Sequence, residues 1–342
     1  MLGRVRAVTI LLLLAACGPT AGERPLPPDP FADAASDGEC CADVRVDTGG
    51  EFDRLCPPVP GATAIFATGD AAGVTVDPTA LYWLFRGSPP IVTRAPLTGA
   101  PVAFHELSAG EEALAVASDG VAVAWLARVG KTTTLFRKAL DGGSATLVAS
   151  RSSSDEGGAF FALAASSKGL YAATATTLLR FGSTSTPVVV GPLSMPALAL
   201  AADDTQVAVV TYASVDVFSD AGHVVVVDEK DYGRPGRVAL GGAHVYWEKS
   251  GALVRAPTSG GPAATFATEA DDFRVAGGNV YYAVGAGPSS IRVQPESSTT
   301  GKVLVERPRK VFMLAVTAAR LFWFEPEFDG AGVCVFRWDM PV

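Results

Sequence analysis

The sequence predicts an all-β fold: a seven-bladed β-propeller of four-stranded antiparallel blades, its last blade closed by a strand from the N-terminal end. Three observations carry this. A ten-residue pattern, clearest as Val238 to Trp247 (VALGGAHVYW), recurs at Val74 to Trp83, Glu112 to Val123, Ala164 to Ala172, Leu200 to Val209, Phe273 to Tyr282 and Ala315 to Trp323. In each copy an apolar or small residue (Val76, Val116, Ala165, Ala202, Leu240, Val275, Val316) stands seven positions before a second-strand residue (Trp83, Val123, Ala172, Val209, Trp247, Tyr282, Trp323). These anchors lie 35 to 49 residues apart, bracketing the period of about 40 residues of four-stranded blades. Apolar residues alternate with period two and Gly or Pro interrupts every dozen residues, which excludes stacked helix pairs of similar period.

Each copy reads as a β-hairpin, an alternating run and a polar turn followed by a run rich in Val, Tyr and Trp. A third run such as Ala252 to Pro257 and a fourth such as Ala263 to Thr268 follow after glycine-bearing turns. A sheet this small cannot bury both faces alone, so blades stack, and a closed ring gives each blade two neighbours. The last unit supplies three strands, roughly Val311 to Thr317, Arg320 to Glu325 and Gly332 to Asp339. Its fourth is expected from Ala62 to Thr68 (ATAIFAT), which matches the fourth-strand run Pro262 to Thr268 (PAATFAT).

Ahead of the ring, residues 1–16 carry Arg4 and Arg6 and then a ten-residue run, apolar except for Thr9. That is the layout of a signal peptide, too short for a permanent membrane span. Residues 17–39, rich in Pro, Ala, Gly and acids, read as an extended tether. Residues 40–61 form a cysteine-containing segment, and residues 62–342 form the propeller as one domain.

Leu14-Ala15-Ala16-Cys17 resembles the lipobox of bacterial lipoprotein precursors, which implies that Cys17 becomes the lipidated N-terminus. Several acyl chains on one residue suffice for stable anchoring. By the same resemblance, Gly18 rather than an aspartate behind the cysteine points to the outer membrane over the inner one. Four cysteines then remain, Cys40, Cys41, Cys56 and Cys334, and an exported compartment lets them oxidise. A bond between adjacent Cys40 and Cys41 is strained, leaving two pairings. Either puts Cys334 in a bridge to the N-terminal segment; free buried thiols are the alternative.

Composition limits the functions. With 27 basic and 35 acidic residues the net charge is −8, and losing Arg4 and Arg6 with the leader makes it more negative. Nucleic-acid binding needs a basic footprint and is not expected. The three histidines, His105, His223 and His244, are scattered over blades one, four and five, and neither HExxH nor paired CxxC occurs. No metal or cofactor site is therefore expected. Gly130-Lys131-Thr132 is the tail of a Walker A loop without its first glycine, Trp125 standing there, and Gly285 to Ser290 lacks the last glycine of a dinucleotide fingerprint. Ser153 to Phe160 (SSDEGGAF) superficially fits the S-x-D-x-G-x-T-W box of sialidase propellers, yet it links a fourth strand to the next blade rather than a third to a fourth.

Arg94, Arg137, Arg180, Arg255 and Arg337 share a third-strand position, with Val217 in blade four and Arg292 out of register in blade six. A guanidinium ring could hold an anion. The third strand sits away from the channel, so the favoured reading has each arginine lie along its blade and pair with a neighbour's acid or carbonyl. The aromatics Trp83, Trp247, Tyr282 and Trp323 read as inter-blade core. The acids Asp77, Asp119, Asp203, Asp204, Glu248, Glu325 and Glu327 are too unevenly spread for a catalytic set to be named.

With the blade motif V-x-x-x-x-V-Y-W…R-x-P-x-x-G-G over residues 62–342 and the lipobox leader, the chain resembles secreted bacterial β-propeller lipoproteins. It departs in blades three and four, where Ala172 and Val209 replace the aromatics. The resemblance implies an envelope propeller tied to the membrane by its N-terminal lipid; such families are mostly uncharacterised, and the function expected here is that of a monomeric, non-enzymatic module that binds protein or glycan. The alternative is a hydrolase or lyase with its site at one mouth of the channel, which three or more converging acids, or acids with histidine, would favour.

Overall fold

In the computed structural model, residues 56, 59–60, 62–68, 71–87, 89–97, 101–155, 157–182, 186–228, 237–327 and 332–340 are described. The predicted signal peptide, the tether and Cys17, Cys40 and Cys41 lie outside the described residues.

The described residues form seven four-stranded antiparallel sheets. Blades one to six span residues 71–106, 112–152, 162–192, 197–228, 238–267 and 272–307, each with strands in sequence order from the axis outward. Blade seven takes its inner three strands from residues 313–339 and its outer strand from Thr63–Thr68, which pairs antiparallel with Val333–Asp339. No helix among the described residues is long and apolar enough to cross a membrane.

The clasp at blade seven is covalent. Cys56 and Cys334, both fully buried, are disulfide-bonded with their Cα atoms 5.6 Å apart. This corrects the pairing by elimination, which gave Cys334 to Cys40 or Cys41. Cys56 lies seven residues ahead of the closing strand, and that strand's pairing with Val333–Asp339 carries Cys56 to Cys334. The elimination assumed that all four cysteines pair among themselves, and chain geometry does not require that.

Packing follows the repeat, with one correction of frame. Trp83, Trp247 and Trp323 pair with inner-strand residues Val74, Val238 and Leu314. In blade two the residue so placed is Trp125, opposite Val116, and not Val123. Ser118 holds the anchor position there, and a polar anchor conceals the match. Each of these indoles packs on the preceding blade, Trp83 against Phe322 and Phe324, Trp247 against Val215 and Val217. All four are fully buried, where an aromatic side chain contributes about 2–3 kcal/mol by leaving water. In blades three and four aromatics from elsewhere fill the gap: Phe160 meets Phe181 edge-on at 6.1 Å, and Phe218 occupies the space between those two blades.

Candidate functional site: the central channel and its faces

The inner strands of all seven blades enclose a channel of about 570 Å³. Its wall is mostly aliphatic, including Val76, Val116, Leu163, Leu200, Leu240 and Val316. Small or branched apolar residues suit that wall, because inner strands converge on the axis and leave little width for side chains.

Two faces close the ring. The hairpin face carries the turns from first to second strand, several capped by an acid: Asp77 Oδ1 accepts from the amides of Thr79 (2.6 Å) and Ala80 (2.9 Å), Asp119 from Val121 and Ala122, and Asp203 from Thr205 and Gln206. These carboxylates organise their turns, as Asx-turns do. Asp204 instead accepts from the amide and hydroxyl of Ser167 in the neighbouring blade. Glu325 is buried away from the channel, in an ion pair with Arg307 and accepting from Trp323 Nε1 at 2.7 Å. Among the described residues that line the channel, Asp203 is the one carboxylate, and no group of three or more His, Cys, Asp or Glu could hold a metal.

The opposite, entry face carries the start of each inner strand and the second-to-third turns. Its sector over blades two to four exposes Val129, Phe161, Met195 and Tyr212, each more than two-fifths accessible. Phe161 also lines the channel. Its sector over blades five to seven is charged. Asp272, fully buried, accepts from Arg237 Nε (3.0 Å), Arg274 Nη1 (2.7 Å) and the amides of Phe273 (2.7 Å) and Leu314 (2.6 Å). Arg237 also donates to the carbonyls of Asp271 (2.6 Å) and Phe312 (3.1 Å), so one side chain ties blades five, six and seven.

Five third-strand arginines do share a register, opposite Tyr82, Ala124, Tyr171, Tyr246 and Phe322. Arg337 donates to the carbonyl of Leu97 in blade one at 2.7 Å, Arg255 to that of Glu296 in blade six, and Arg137 pairs with Asp119 at 2.8 Å. Two of them thus staple one blade to the next, as expected of the favoured reading. His105 lies tilted against Trp125, with ring centroids 4.6 Å apart, and burial and then Lys138 pull its pKa below the ordinary value. His223 sits on Phe218 with Nε2 2.7 Å from Asp216. Gly130 makes the second-to-third turn of blade two, which leaves Gly130-Lys131-Thr132 on a hairpin.

The charged triad escaped the reading of the sequence. Its signal is one column: the residue just before each anchor, with Ser118 as the anchor of blade two, is Thr75, Ala117, Ala164, Ala201, Ala239 or Ala315, but Arg274 in blade six. Aligning the repeat on its aromatics alone passes over that break.

No family model matches the chain. No curated protein matches it in sequence. Solved structures do match in shape. The WD40 repeats of RRP9 share 12% identity over 84% of this chain and 99% of that one, with a TM-score of 0.63. A chain of a mitotic checkpoint complex shares 12% identity over 87% of this chain and 99% of that one, at 0.61. A chain of a nidogen/laminin complex covers 56% of this chain and 77% of its own length at 15% identity and 0.44. At 12% identity the likeness to the RRP9 and mitotic checkpoint chains establishes the propeller fold and nothing about ligands.

Proposed function

We propose that this chain is a lipid-anchored propeller of the cell envelope, outer membrane rather than inner, that binds a protein partner through its entry face. The observation that carries it is the apolar rim of Phe161, Met195, Tyr212 and Val129 on that one face. Exposed apolar residues gathered in one place mark interaction surfaces. The RRP9 and mitotic checkpoint structures, alike in fold, support a binding or scaffold module as a use of this architecture. The apolar rim favours protein over glycan, and the aliphatic channel wall favours binding over the hydrolase or lyase alternative. Anchoring rests on the leader and Cys17.

Two measurements test this. Palmitate supplied to producing cells is expected to label the chain, and Cys17→Ala to abolish the label and free the chain from membranes. A Cys17→Ala variant that stays membrane-bound ends the anchoring reading. The immobilised full chain is expected to retain an envelope protein that a Phe161→Asp/Met195→Asp variant does not. Equal retention by the variant removes the entry face as the binding surface.

A further inference from the structure

The channel wall breaks its own rule in one place. The inner-strand position opposite the second-strand residue that faces the next blade holds Thr75, Ala117, Ala164, Ala201, Ala239 and Ala315 in six blades, and Arg274 in the remaining one. Two residues earlier on neighbouring inner strands, Arg237 and Asp272 stand where blades three and seven have Ala162 and Met313. Charges in an apolar wall are costly unless paired, and folds retain such violations mainly at functional sites.

The pairing is incomplete. Two guanidinium groups meet one carboxylate, and Arg237 is engaged through all three of its nitrogens. Arg274 uses only Nη1, on Asp272 and the carbonyl of Phe273; among the described residues its Nε and Nη2 make no hydrogen bond. Its side chain is 28% exposed and lines the channel. Burial pulls its pKa below the usual arginine value, Asp272 opposes that, and neighbouring Arg237 adds to it.

We infer that the channel binds a small amphipathic carboxylate, its anionic head on Arg274 and its apolar body along the aliphatic wall. The free Nε and Nη2 form one edge of the guanidinium fork, whose two parallel donors match the two oxygens of a carboxylate. Val275, Leu240, Val238 and Val316 lie beside Arg274 in the lining and supply the apolar contact. At about 570 Å³ the channel falls within the ordinary range for small-ligand sites. Arg274, in blade six, lies away from the rim over blades two to four, although Phe161 of that rim also lines the channel, and the octanoate test does not depend on protein binding at the rim.

The test is calorimetric titration of the full chain carrying Cys17→Ala, purified without detergent, with octanoate, 1-octanol and inorganic phosphate as probes. Octanoate is expected to bind saturably with one site per chain. Octanol and phosphate, each lacking one half of the ligand chemistry, are expected to bind at least tenfold more weakly. Arg274→Gln is expected to lower octanoate affinity at least tenfold, and Arg274→Lys, which keeps charge but loses the fork, by a smaller factor. No saturable octanoate binding, octanol or phosphate binding as tightly as octanoate, or unchanged affinity in a folded Arg274→Gln variant each overturns the inference. The wild-type comparison of the three probes decides the matter even where a variant fails to fold.

Discussion

Blade seven and blade four follow one four-strand plan with opposite materials. Blade seven is assembled from both ends of the described chain, is covalently tied by Cys56–Cys334, and buries Trp323 against blade six. That indole stacks on Phe336 at 5.3 Å and donates to Glu325, which also holds Arg307 of blade six. Blade four is one continuous segment, with Val209 at the tryptophan position. Facing Val209 is buried Asp216, held by the Ser214 hydroxyl and by His223. Phe218, two residues further on, supplies the bulk that Val209 lacks, and Gly191 of blade three makes room for it. A blade is therefore held by whatever fills the wedge between it and its neighbour, and the motif position need not supply the filler.

Three measurements can break that comparison. The largest effect is expected at Trp323: Trp323→Ala leaves an indole-sized cavity and deprives Glu325 of a donor, costing about 4 kcal/mol, whereas Val209→Ala costs about 1–2 kcal/mol. Urea unfolding of both variants checks this, and equal losses would show that motif position, not packing, sets each blade's contribution. Next comes the clasp. Cys56→Ser removes a cross-link between residues 278 apart in sequence and is expected to lower stability by about 3 kcal/mol. A variant whose unfolding midpoint matches wild type would mean that strand pairing alone closes the ring.

The smallest effect tests the wedge at blade four. A Cβ on Gly191 would stand 2.5 Å from Cε1 of Phe218, so Gly191→Ala is expected to cost about 2 kcal/mol by overpacking. Adding Phe218→Leu should restore part of that loss. If the double variant is no better than Gly191→Ala alone, Phe218 is not what Gly191 accommodates.

Much of the architecture was legible because a propeller repeats one local problem. Period-two alternation marks strands, polar turns mark hairpins, and the run Ala62 to Thr68 betrays itself by matching Pro262 to Thr268. Blade two was misframed because Ser118 occupies an anchor position where the pattern expects an apolar residue, which hid Trp125 two places on. The fillers Phe160, Phe181 and Phe218 were not legible as such, since they come from other positions in the blade or ahead of it.

The sequence by itself determined the number of blades, the order of their strands and the borrowing of an N-terminal strand, because each depends on local alternation and on one unpaired edge that must find a partner. Only the tertiary structure decided which cysteine joins Cys334 and that Arg237 and Arg274 of the channel wall meet on the buried Asp272. Those outcomes depend on distances between strands far apart in the chain, and no local pattern encodes such distances.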